Sequence, residues 1–162
     1  MNRQYSLCLP YPEICGRVTS REMETLYDMA AGRFSEMTTL CSYVYQSVIS
    51  AETDEISQIA ANIAKVEMGH YELLAGAIFK LGGDPVFAGR YNYFSGSYPD
   101  YEKITKAFIH NDIDGELAAI NAYREAAENS TNQSLSDLYL RIAMDEELHV
   151  QILSDLLQEI TE

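Results

Sequence analysis

Apolar residues along most of the chain recur at intervals of three and four. Between positions 54 and 81 the series runs Ile56, Ile59, Ile63, Leu74 and Leu81, and between 133 and 160 it runs Leu135, Leu138, Ile142, Leu153 and Ile160. Such spacing lays one apolar stripe along a helix, and few segments alternate with the period of two that marks a strand. Thr19 and Glu22 have capping-box spacing, so a first helix is predicted from about 19 to 49. A second follows from 53 or 54 to 81, a third from 99–101 to about 128 and a fourth from about 133 to 160. Four of the nine glycines and two of the four prolines lie between Gly82 and Pro99, which marks one irregular connection. The pattern predicts one all-α domain over residues 1–162. It has an N-terminal extension (1–18), a first helical hairpin (19–81), a crossover (82–99) and a second hairpin (100–162).

The hairpins resemble each other. Glu36 to Tyr43 aligns with Glu116 to Tyr123 at an offset of 80, and further on, at an offset of 79, Glu67 and His70 align with Glu146 and His149. General amphipathicity explains matched apolar residues, but not matched Glu, His and Tyr.

Two of the three histidines lie in Glu-x-x-His motifs, Glu67–His70 and Glu146–His149. Residues three apart share a helix face, so each carboxylate and imidazole converge. Both pairs fall within apolar stripes, where an ionised carboxylate needs compensation. Each hairpin also offers a glutamate on its first helix, Glu36 or Glu116. At 1.5 Å per residue, Glu36 and Glu67 both stand about 24 Å up the bundle, and Glu116 meets Glu146 in the same way. Four carboxylates and two neutral imidazoles would balance two divalent cations. Oxygen and imidazole donors suit Fe or Mn.

These residues resemble the ligand set of the ferritin-like superfamily, most closely its rubrerythrin-like branch, over roughly residues 20–161. The resemblance implies a four-helix bundle of two hairpins with a long crossover between helices two and three. It implies that Glu67 and Glu146 bridge two metals, with Glu36–His70 and Glu116–His149 as terminal ligands. It also implies a dinuclear Fe or Mn protein that reacts with O2 or peroxide as a peroxidase, ferroxidase or catalase, or else an iron-sequestering protein without enzymatic activity. A separate electron donor and a homodimer belong to the same expectation. Rubrerythrins carry a further carboxylate three residues after the third-helix glutamate, where this chain has Ala119. The ligand spacing is also similar to that of manganese catalases.

Tyr43 and Tyr123 lie seven residues beyond Glu36 and Glu116, in reach of a ligand on an opposing helix; a core aromatic with a satisfied hydroxyl is the equal alternative. His110 is expected at the surface or in packing, Cys41 in packing, and Asp145 and Glu147 off the ligand face in solvent. Cys8, Cys15 and Cys41 are odd in number and contain no CxxC, so reduced thiols are expected. The crossover aromatics Phe87, Tyr91, Tyr93, Phe94, Tyr98 and Tyr101 are expected to anchor the loop, with a subunit contact or lid as the alternative. The net charge of -14 disfavours nucleic acid and anionic membranes. With no apolar run of about 18 residues and no signal-like N-terminus, a cytoplasmic location is expected.

Overall fold

The structure is a computed structural model and describes residues 3–160. Its helices are α1 (Ser20–Ala31), α2 (Glu36–Ile49), α3 (Asp54–Lys80), α4 (Thr105–Asn129) and α5 (Gln133–Glu159). Among the described residues none of these is long and apolar enough to cross a membrane.

The predicted first helix is two helices. α1 starts at the expected capping box of Thr19 and Glu22 and ends at Gly32. A Cβ at Gly32 would stand 2.5 Å from the Asp28 carbonyl oxygen, so only glycine fits there. Ser35 then restarts the helix, accepting from the Thr38 N–H and donating its hydroxyl to the Gly32 carbonyl. The break places Glu36 in the first turn of α2, where the helix dipole favours a carboxylate. The third predicted helix begins later than expected, at Thr105, because residues 99–104 run outside helical geometry.

α2 packs on α3 and α4 on α5; α3 and α5 then join the hairpins, and α1 lies on α3. Two apolar clusters result. One gathers Leu26, Leu74, Ile78, Leu135, Leu138 and Ile142. The other gathers Ile56, Ile59, Ile63, Phe108, Ile152 and Leu153. Each such side chain contributes about 1.5–3 kcal/mol on burial.

The crossover is tied down. A Cβ on Gly89 would come within 2.9 Å of the Gly32 Cα, so two glycines let the loop cross the helix break. Beside it the Arg90 N–H donates to Asp28 Oδ1 at 2.7 Å. Phe87 stacks on Tyr71, Tyr101 meets Tyr45 edge-on, and Phe94 meets Tyr98. Phe87 and Tyr101 anchor to helices as expected, Phe94 and Tyr98 pack on each other within the loop, and Tyr91 and Tyr93 stand exposed. The three cysteines are free thiols.

Candidate metal centre

The two Glu-x-x-His motifs lie mid-helix on α3 and α5, between the two apolar clusters, with their side chains turned inward. Glu36 reaches them from α2 and Glu116 from α4. All six predicted residues are buried, none more than 4% exposed. They form two groups, Glu36–Glu67–His70–Glu146 and Glu67–Glu116–Glu146–His149, each with one donor atom per residue within 4.8 Å of the others.

Glu67 and Glu146 belong to both groups and divide their oxygens between the histidines. His70 Nδ1 lies 3.0 Å from Glu146 Oε1 and 3.9 Å from Glu67 Oε2. His149 Nδ1 lies 2.9 Å from Glu146 Oε2 and 3.1 Å from Glu67 Oε1. Glu36 stands 3.5 Å from the first imidazole and Glu116 3.7 Å from the second.

Within the cluster, four buried atoms have no hydrogen-bond partner: Glu36 Oε2, Glu67 Oε1, His70 Nδ1 and Glu146 Oε1. His70 Nδ1 and Glu146 Oε1 are close, yet not aligned on each other. Lone pairs converging on a common point are what a cation needs. Leaving such atoms unmatched in a core costs about 1–3 kcal/mol each, more for a charge.

The electrostatics point the same way. Burial, then Glu146, Glu36 and Glu116, push Glu67 well above the usual carboxylate range. Burial and Glu146 bring Glu116 to about 7. Burial opposes charge on His70, but Glu146 and Glu36 outweigh it and hold its pKa well above normal. The same contest at His149 is won by its contacts with Glu116, Glu146 and Glu67. Glu146 is held below the carboxylate range, against its burial, by the two imidazoles. The cluster therefore demands positive charge, which protons meet partially and two divalent cations meet in full. Carboxylate and imidazole donors fit Fe or Mn.

Tyr43 and Tyr123 cross between the halves: Tyr43 on α2 donates to Glu116 on α4, and Tyr123 on α4 donates to Glu36 on α2. Burial, then Glu116 for Tyr43 and Glu36 for Tyr123, raise both phenols well above normal, so both stay neutral donors. A cleft of about 500 Å³ opens between α2 and α4. Its floor includes Glu36, Glu67, Glu116 and Glu146; its α4 wall has an apolar stretch of Gly115, Ala118, Ala119 and Ala122, with Asn111 and Asp112 beside it. The position of Ala119, where a further carboxylate would stand in rubrerythrins, is part of this apolar wall.

Asp145 corrects the expectation of a solvated carboxylate. It is fully buried and accepts from the Leu7 N–H at 2.7 Å and the Tyr11 hydroxyl at 2.6 Å. His70 Nε2 lies 3.2 Å from it, and the Arg141 guanidinium 2.8 Å. Burial would raise its pKa, but the bonds from His70, Tyr11 and Leu7 bring it down to about 2. His149 Nε2 points at the Tyr5 carbonyl oxygen, 3.0 Å away. A carbonyl only accepts, so Nε2 carries a proton and Nδ1 is the nitrogen that faces the cluster. Sequence reasoning missed these partners because the N-terminal extension has no helical period that would place it. Glu147 is exposed and pairs with Arg124, and His110 is exposed, both as expected.

No family model matches the chain, and no curated relative does. Solved structures do. KatB, a manganese catalase from Anabaena, superposes with a TM-score of 0.85 at 19% identity, over 100% of this chain and 82% of that one. The Rhodobacter capsulatus bacterioferritin gives 0.74 at 18% identity, over 88% and 87% of the two chains. A dodecameric thioferritin from Bacteroides fragilis gives 0.71 at 22%, over 90% of each. At these identities the likeness establishes the architecture alone: the chain has the ferritin-like helical-bundle fold, with a buried carboxylate–histidine cluster at its centre.

Proposed function

We propose that the chain is a dinuclear iron or manganese protein that reacts with hydrogen peroxide or O2. The observation that carries this is the convergence of six buried donors in two groups that share Glu67 and Glu146. In this reading Glu67 and Glu146 would be shared by the two ions, Glu36 and His70 would complete one site, and Glu116 and His149 would complete the other. Two adjacent redox ions supply a two-electron change, the change needed to convert peroxide.

The chain's own residues set the conditions. Tyr43 and Tyr123 each donate to Oε1 of one terminal carboxylate and fix its orientation. The Asp145 carboxylate and the Tyr5 carbonyl keep both imidazoles in the tautomer that leaves Nδ1 free. The cleft between α2 and α4 gives a small neutral oxidant a path to the carboxylates, and its apolar wall limits bulk water. The ferritin-like fold and the likeness to a manganese catalase and to bacterioferritins support the reading.

The test is elemental analysis of protein purified without chelator, followed by peroxide assays on the same sample. Oxygen evolution without a reductant assigns a catalase, and turnover only with a reductant assigns a peroxidase. Iron accumulating far beyond two ions per chain, without peroxide turnover, would instead favour sequestration. Absence of bound metal, with no thermal shift on adding Fe(II) or Mn(II), would overturn the reading.

A further inference from the structure

The stretch from Tyr5 to Tyr11 lies along α5 and spans the layer that holds the six donors. Tyr5 packs against one apolar cluster and Tyr11 against the other, so the segment passes from one side of the centre to the other. Along the way it touches the outward nitrogen of both histidines, once directly and once through an intermediary. The Tyr5 carbonyl faces His149 Nε2. Leu7 N–H and the Tyr11 hydroxyl hold the two oxygens of Asp145, and Asp145 Oδ2 faces His70 Nε2. Arg141 locks the arrangement: it donates to the carbonyls of Leu7 and Leu9, and its guanidinium lies over the Tyr11 ring at 4.4 Å.

We propose that this N-terminal segment is a positioning element of the dinuclear centre, so that its docking on α5 and the loading of metal strengthen each other. The proposal rests on the dinuclear reading above. Its physical basis is the histidine tautomer. A metal at Nδ1 requires the proton at Nε2, and a buried Nε2–H requires an acceptor. Here the segment either is that acceptor or holds it. Without the segment, Asp145 loses two donors and His149 loses its carbonyl, and both imidazoles are free to turn. Outer partners of metal-bound histidines typically account for 10–100-fold in metal affinity. Linkage makes the effect mutual, because whatever tightens metal binding is itself tightened by metal.

Mn(II) titration of the full-length protein, of a variant lacking residues 1–5, and of Asp145→Asn tests this. Deletion of residues 1–5 is expected to weaken one of two sites per chain by 10–100-fold. Asp145→Asn is expected to weaken the other by a similar factor. Each is repeated in a histidine-deleted background, which separates positioning from general destabilisation. The deletion should cost nothing further in His149→Ala, and Asp145→Asn nothing further in His70→Ala. In the unmodified protein, Mn(II) should slow hydrogen exchange at the Leu7 amide at least tenfold, a readout that needs no variant to fold. Unchanged affinities, losses that persist in the histidine-deleted backgrounds, or Leu7 exchange indifferent to Mn(II) would each overturn the proposal while leaving the dinuclear reading intact. Failure of the unmodified chain to take up Mn(II) or Fe(II) would remove that reading and the proposal with it.

Discussion

The two hairpins contribute the same residue types to the centre but support them by different means. In the first, Glu36 opens α2 after a helix break and so stands at the positive end of a new helix's dipole. In the second, Glu116 lies within an unbroken α4 and has no such aid, and burial with Glu146 brings its pKa to about 7. The histidines differ too. His70 on α3 faces a charged acceptor, Asp145 on α5, whereas His149 on α5 faces a neutral carbonyl from the N-terminal segment. The sequence explains the asymmetry. At the offset of 79 that aligns the motifs, Asp145 corresponds to Val66 and Arg141 to Asn62. The first hairpin therefore has no carboxylate to offer His149, and the extended segment fills that role. The duplication preserved the residues that face the centre more closely than those that hold them there.

Substitutions at the shared and unshared positions sharpen the comparison, beginning with the largest effect. Glu67→Ala removes an oxygen donor from both groups, so metal content should fall from two ions per chain towards none. His70→Ala or His149→Ala should each leave about one. Metal analysis after equilibration with Mn(II) separates these cases, and equal losses from all three variants would contradict the shared role of Glu67.

Arg141→Met leaves Asp145 buried with less compensation, and breaking such a pair costs about 3–5 kcal/mol. Chemical denaturation should show a loss at the lower end of that range, since Leu7 and Tyr11 still donate. Asn62→Met, at the equivalent position of the first hairpin, should change stability by less than about 0.5 kcal/mol.

The glycines before the two terminal glutamates should respond with opposite signs. Gly32→Ala forces a Cβ against backbone at 2.5 Å and should destabilise by about 2 kcal/mol. A Cβ at Gly115 meets nothing within 4 Å in mid-helix, so Gly115→Ala should stabilise by up to about 1 kcal/mol. Thermal melts of the two variants read the sign directly.

The smallest effect concerns the end of the bundle where α1 meets the turn between α4 and α5. Burial would raise the pKa of Glu22, but its bonds with Thr19, Thr131 and Ser130 lower it to about 2 from an ordinary 4.5. A depressed carboxylate contributes stability that is full above pH 4.5 and fades as pH falls towards 2. Glu22→Gln should cost about 1 kcal/mol at pH 7, with allowance for solvent screening, and should flatten the acid limb of the stability curve. A curve unchanged between pH 5 and 2.5 would show that the clamp carries no weight.

Much of this was legible in the residues. The convergence of six side chains was readable because the repeat sets them in phase; seven residues nearly complete two helical turns, which put the tyrosines in reach of an opposing helix but did not decide between a hydrogen bond and plain packing. The break at Gly32 was hidden because the apolar period continues across it through Met23, Leu26, Ala30 and Met37. Its signal was Gly32 followed by Ser35 as a fresh N-cap. Asp145 was misread for a different reason. Its helix face points away from the six donors themselves, but it meets His70 from behind and is covered by chain that carries no period. Contacts that depend on irregular backbone are set by tertiary packing, and no spacing rule encodes them.

The most direct test of the central claim is anomalous diffraction from crystals equilibrated with Mn(II). Two peaks per chain are expected, one at Glu36 and His70 and one at Glu116 and His149, with Glu67 and Glu146 between them. A cluster without an anomalous peak at saturating Mn(II), or at Fe(II) under anaerobic conditions, would contradict it.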